Sequence, residues 1–153
     1  VNVELALASL EDARKHPARF DMGTWYSAGD SGHEQMTITG DEPVPPCGTV
    51  GCYAGFVTFR TAPQGTVIEG GYLYRDLEAC RNGDDWGHAE EYARARLGLT
   101  RQQSAVLFYL DTLEEVEAAV KYLADNPDAD QRGIASAAKG YFNPDEWWYP
   151  DED

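Results

Sequence analysis

Thr100-Arg101-Gln102-Gln103-Ser104-Ala105-Val106-Leu107-Phe108-Tyr109-Leu110 and, after Asp111, Thr112-Leu113-Glu114-Glu115-Val116-Glu117-Ala118-Ala119-Val120-Lys121-Tyr122-Leu123 read as two consecutive helices. Each segment opens on a threonine followed three residues later by Gln103 or Glu115. That spacing lets the hydroxyl accept the third helical N–H while the longer side chain reaches back to the N–H of the cap. Behind the caps, Val106, Leu107 and Leu110, then Leu113, Val116, Val120 and Leu123, recur at helical spacing and mark one buried face on each helix. Asn126-Pro127 closes the second helix, because the residue before proline is pushed out of the helical region.

Working outward, Arg132–Lys139 carries Ile134, Ala135 and Ala138 as another helix, and Gly140 breaks it. Upstream, Asp84 and Asp85 precede a helix with Ala89, Tyr92, Ala93 and Leu97, which Gly98 is placed to end. At the start of the chain, Val3, Leu7, Leu10 and Ala13 define a helix over 3–16, with Asn2 as its cap and Pro17 as its stop. His16 reads as an end-of-helix cation or an exposed side chain. Thr66–Tyr74 holds Gly70-Gly71 between β-prone runs, the signal of a two-residue hairpin. Residues 21–46 show little periodicity apart from a short strand around Met36-Thr37-Ile38, and a loop of that length is functional or mobile.

In the middle, Thr49 introduces Val50–Phe59, a segment apolar on all sides, which predicts a helix capped by Thr49 and buried on most of its circumference. Gly51, Ala54 and Gly55 leave one side flat enough for close helix approach. The expected fold is therefore mainly α: a single compact helical domain of about five to six helices with a small β-hairpin. It spans 1–142, with the long loop at 21–46, and is followed by an acidic, aromatic C-terminal tail at 143–153.

Around the same helix, Cys47-Gly48-Thr49-Val50-Gly51-Cys52-Tyr53-Ala54-Gly55-Phe56 resembles a loose family of small actinobacterial and phage proteins that share a Cys-Gly-Thr-x-x-Cys-x-Ala-Gly core. Phe20–Trp25 upstream and Leu97–Thr100 through Leu107-Phe108 downstream are similar to its flanking segments. Phe56 stands where such sequences more often carry tryptophan. The family has no assigned activity, so the resemblance implies a phage or actinobacterial setting and an architecture, and assigns no residue a role.

The 153 residues include 27 acids and 12 Lys or Arg, a net charge of −15. From Gln102 onward there are 12 acids and 3 bases, which leaves that stretch at −9. A phosphate backbone is held by clustered Lys and Arg, so direct nucleic-acid binding is disfavoured. No apolar run approaches the roughly 20 residues of a membrane span. Three cysteines form no secreted disulfide framework, and with no signal peptide in view the sequence reads as a cytoplasmic protein.

Several groupings carry chemical potential. Cys47, Cys52 and Cys80 with His33 or His88 supply ligand types suited to zinc, but the two nearer cysteines have four residues between them and there is no second paired cluster. The preferred reading is of buried, reduced cysteines with no cofactor. Cys52 in the first turn of a helix, with His88 as base and Asp85 behind it, would make a nucleophile. The all-round apolar helix predicts instead a sulfur with no substrate access. Asp128-Ala129-Asp130 begins like a calcium loop, yet Arg132 and Lys139 fall at ligand positions and defeat it. Asp84-Asp85, Glu90-Glu91 and Glu114-Glu115 read as first-turn charges that complement helix dipoles.

The interaction hypothesis lies in the tail, where Trp147, Trp148 and Tyr149 supply contact area while Asp145 and Glu146 steer toward a basic protein. The alternative is that these aromatics fold back over the core. The sequence thus points to a non-catalytic, protein-binding accessory factor, phage-encoded and acting on a host protein. A zinc or thiol protein and an acidic nucleic-acid mimic are the competing classes.

Overall fold

The computed structural model describes residues 1–17, 26–27, 35–39, 50–69 and 71–143. Seven helices are present among them: α1 (Val3–Lys15), α2 (Tyr53–Thr61), α3 (Leu77–Asn82), α4 (Ala89–Leu97), α5 (Arg101–Leu107), α6 (Leu113–Asp125) and α7 (Gln131–Lys139). The strands are β1 (Tyr26–Ser27), β2 (Gln35–Thr37), β3 (Val50–Gly51), β4 (Val67–Glu69), β5 (Tyr72–Tyr74) and β6 (Asp85–His88). The fold is mainly α, as the sequence predicts, with a small antiparallel sheet in the order β2-β4-β5-β6.

Both capping boxes form. The Thr100 and Thr112 hydroxyls accept from Gln103 N and Glu115 N, and the side chains of Gln103 and Glu115 return to the cap N–H groups. Gln103 does more than cap. Its amide nitrogen donates to the carbonyls of Pro127 at 2.9 Å and Ala129 at 3.1 Å, so one buried side chain ties the start of α5 to the α6–α7 connection. Asp130 then caps α7 through Gly133 N, and Lys139 at its far end is held by Asp111 and Glu115. These carboxylates push the Lys139 ammonium above the ordinary lysine range, the hydrogen bond to Asp111 foremost.

Helix α2 is the hub, with every residue from Tyr53 to Phe59 buried. It packs against α1 and α4, while α6 packs against α1 and α7, and α7 against α5. Leu10, Tyr53, Val57, Leu97, Leu107, Val120, Leu123 and Ile134 belong to one helical core. The Tyr53 hydroxyl is satisfied there by donating to the Ala6 carbonyl at 2.7 Å. Asp12 and Arg60 pair at 2.8 Å across the α1–α2 contact. Phe59 reaches past this core into a second cluster with Ile38, Ile68, Leu73 and Ala89, so α2 joins the helical layer to the sheet.

Four local expectations change. The central helix starts at Tyr53 with Cys52 as its N-cap. Val50-Gly51 pairs instead with Tyr26-Ser27, which places Gly51 outside the helix, while Thr49 lies outside the described residues. Asp84 and Asp85 do not open α4: Asp85 begins β6, and His88 caps the helix by accepting Glu90 N on Nδ1 at 3.1 Å. Finally, α3 raises the helix number above five to six; Asp76 caps it through Ala79 N. Glu90-Glu91 and Glu114-Glu115 do occupy first turns.

Candidate functional site: the outer face and rim of the sheet

The hairpin forms between β4 and β5, with Val67 opposite Tyr74, Ile68 opposite Leu73 and Glu69 opposite Tyr72, while Gly70 of the expected turn lies outside the described residues. Alternation along so short a strand sends Leu73 into the core and leaves Tyr72 and Tyr74 on the opposite face. Strand β6 extends this face by setting His88 opposite Tyr72, and the two rings meet edge-on with centroids 5.4 Å apart.

Between Leu73–Gly87 and Tyr74–Asp85 the register shifts, so that Trp86 is an extra residue on the edge strand. The bulge is held by Asp85, whose Oδ1 accepts Gly87 N at 2.8 Å. Gly87 takes φ of +113°, a conformation that side-chain-bearing residues rarely adopt. A Cβ at this position would lie 3.4 Å from the Glu91 carboxylate, which therefore sits directly alongside the bulge. Trp86 is 48% exposed and Tyr72 44%, high values for the two largest aromatic residue types.

Helix α3 packs against β4 and β5 and brings Cys80 to the outer face, where its thiol donates to Glu69 Oε2 at 2.7 Å. Tyr74 feels this surrounding directly. Its phenol is raised above the ordinary range, first by desolvation and then by the acidic neighbours Cys80, which ionises before it, Asp85 and Glu69. The face therefore combines aromatic surface with a negative field.

The other sequence candidates are distributed differently. Cys52 is buried in the helical core, and burial pushes its thiol up to about 11. As N-cap in an apolar setting, Cys52 loses hydration that nearby backbone N–H groups do not offset, so the nucleophile alternative finds no lowered thiol pKa here. His88, proposed as its base, spends Nδ1 on the α4 cap, and Asp85 holds the bulge. Cys80 lies on the sheet face instead of in the core. Among the described residues no group of three or more His, Cys, Asp or Glu is placed to hold a metal, so Cys52, Cys80 and His88 do not assemble the alternative zinc set. Cys47 and His33 lie outside the described residues, as do Asp145, Glu146, Trp147, Trp148 and Tyr149.

Among the described residues no helix is long and apolar enough to cross a membrane. Comparison with family models, with curated proteins and with solved structures finds no match in any of the three.

Proposed function

We propose that this chain is a non-catalytic accessory factor, phage-encoded or phage-derived, that works in the host cytoplasm by binding a basic protein. The observation that carries this reading is the half-exposed pair Trp86 and Tyr72 on the sheet of a protein with net charge −15. Large aromatics supply contact area at low conformational cost, and surrounding carboxylates accelerate and orient encounter with a positive surface. The buried, protonated Cys52 supports a binding role over thiol catalysis. The origin rests on the Cys47–Phe56 resemblance alone. The acidic, aromatic segment 143–153 belongs to the same reading as a second contact element.

Affinity capture from an actinobacterial host lysate tests this. The reading expects a basic partner whose retention falls as salt rises, since exposed charges are screened beyond roughly 8 Å at physiological ionic strength. Trp86→Ala with Tyr72→Ala should release it without loss of fold. A variant lacking 143–153 measures the share carried by the tail. A partner that stays bound to the double variant, with retention independent of salt, would remove the basis for the reading.

A further inference from the structure

We propose that the acidic segment 144–153 docks on its own chain, with the Asp145-Glu146 pair held by Arg132 on the flank of α7, and that a basic partner must displace it from there. The chain turns back after α7: Gly140 takes φ of +82°, and Phe142 packs against the helical core with the Arg132 guanidinium 5.2 Å over its ring. Arg132 stands in the first turn of α7, so its contact with Phe142 means that the residues beyond Gly140 run back along the helix toward its start. Asn143 precedes Pro144, and a residue before proline favours extended backbone, so the chain leaves Asn143 in the direction that Phe142 sets. Asp145 follows Phe142 by three residues, at most about 10 Å of chain.

Arg132 is the cation that this segment fits. Arg14, Arg60, Arg75, Lys121 and Lys139 each meet a carboxylate, whereas Arg132 is exposed and forms no ion pair among the described residues. Stacked on a ring, a guanidinium keeps its forked N–H edge for a carboxylate in its own plane. No acid shares the first turn of α7, where the helix dipole favours one, and the Asp130 cap is spent on Gly133 N. The segment supplies five acids and no lysine or arginine. A tether of a few residues gives those acids an effective concentration on the order of millimolar at Arg132, so a contact too weak to hold separate molecules together forms within one chain. Resting on the binding reading, the acids that attract a basic partner are thereby kept on the body of the protein until it arrives.

The test compares 15N spectra of the full chain with those of a chain ending at Asn143, read at the Arg132 Nε–H and at the Gln131 and Arg132 amides, which lie far from the truncation in sequence. The proposal expects these signals to shift on truncation, and the full chain to approach the truncated spectrum as sodium chloride rises from about 0.05 M to about 0.5 M. Asp145→Asn with Glu146→Gln keeps the tryptophans and should reproduce the truncated signals; it serves if truncation alters the fold. Charge reversal on both sides, Arg132→Glu with Asp145→Lys and Glu146→Lys, should restore a salt-sensitive difference at the Gln131 amide, which a merely structural role of Arg132 would not do. Identical Arg132 signals in the full and truncated chains, or a shift that the neutral pair leaves intact, would overturn the proposal. Shifts that disappear on dilution would place the segment on a second copy and refute docking within one chain. Either failure leaves the protein-binding reading standing, because the Trp86→Ala, Tyr72→Ala variant tests that separately.

Discussion

Gln103→Glu is the substitution whose cost can be worked out most completely. Gln103 is 3% exposed; its side-chain oxygen accepts Thr100 N at 3.1 Å, and its amide nitrogen donates to two carbonyls. Glutamate keeps the first interaction, because a carboxylate serves equally well in a capping box. It loses both donated bonds and turns a negative oxygen toward the carbonyls of Pro127 and Ala129. Two buried bonds at about 0.5–1.5 kcal/mol each, with repulsion added, give a loss of about 3 kcal/mol at pH 7. At roughly 2–4 °C per kcal/mol for a chain of this size, Tm should fall by about 6–12 °C. The sign of the pH dependence follows from linkage. The new carboxyl has a folded pKa above its unfolded value, so the charge-dependent part of the penalty is absent below about pH 4.3, where the single O–H can still donate once, and is fully present once pH has risen through the folded pKa. Thermal melts of Gln103→Glu and the parent from pH 4 to 8 should therefore diverge upward in pH. A variant as stable as the parent at pH 7, or a deficit independent of pH, would refute the placement of Gln103 against the α6–α7 connection.

Three further predictions follow from the packing. A Cβ at Gly133 would meet the Tyr122 hydroxyl oxygen at 2.8 Å and its ring at 3.2 Å, so Gly133→Ala should destabilise despite a helix-propensity gain of about 1 kcal/mol. Denaturant titration in a Tyr122→Ala background should turn that loss into a gain, and additive effects would show that the two residues do not meet. Cys52 should resist a thiol reagent in the native state at neutral pH, because a group titrating at about 11 carries almost no thiolate there; rapid modification read by mass spectrometry would contradict its burial. His88→Asn should preserve the α4 cap, whereas His88→Ala should cost about 1 kcal/mol in chemical denaturation; equal losses would deny the capping role.

Which parts of this architecture were legible depended on how locally each was encoded. The caps at Thr100 and Thr112 and the β4–β5 hairpin involve partners within a few residues, and the chain writes them as short motifs. The start of α2 was not legible, because Val50-Gly51 is claimed by Tyr26-Ser27, a pairing across more than twenty residues that leaves no local signal. Asp84-Asp85 was misread for a related reason. Acids before a periodic apolar run imitate a helix start, yet β5 recruits Asp85–His88 as its neighbour. Helix α3 has only six residues, too few for periodicity to rise above its surroundings. The rim was hidden similarly, since which side of a three-residue strand faces outward is decided by Phe59 and Ala89 packing beneath Ile68 and Leu73.

The most direct measurement of the central claim places a photo-crosslinking phenylalanine analogue at Tyr72 and, separately, at Leu7, two positions of matched exposure at 44% and 43% on β5 and α1. Irradiated in host cells, the chain labelled at Tyr72 should cross-link to one basic protein in a salt-sensitive complex, and the chain labelled at Leu7 should not. Equal cross-linking from both positions, or a product from Leu7 alone, would contradict the assignment of the sheet as the binding face.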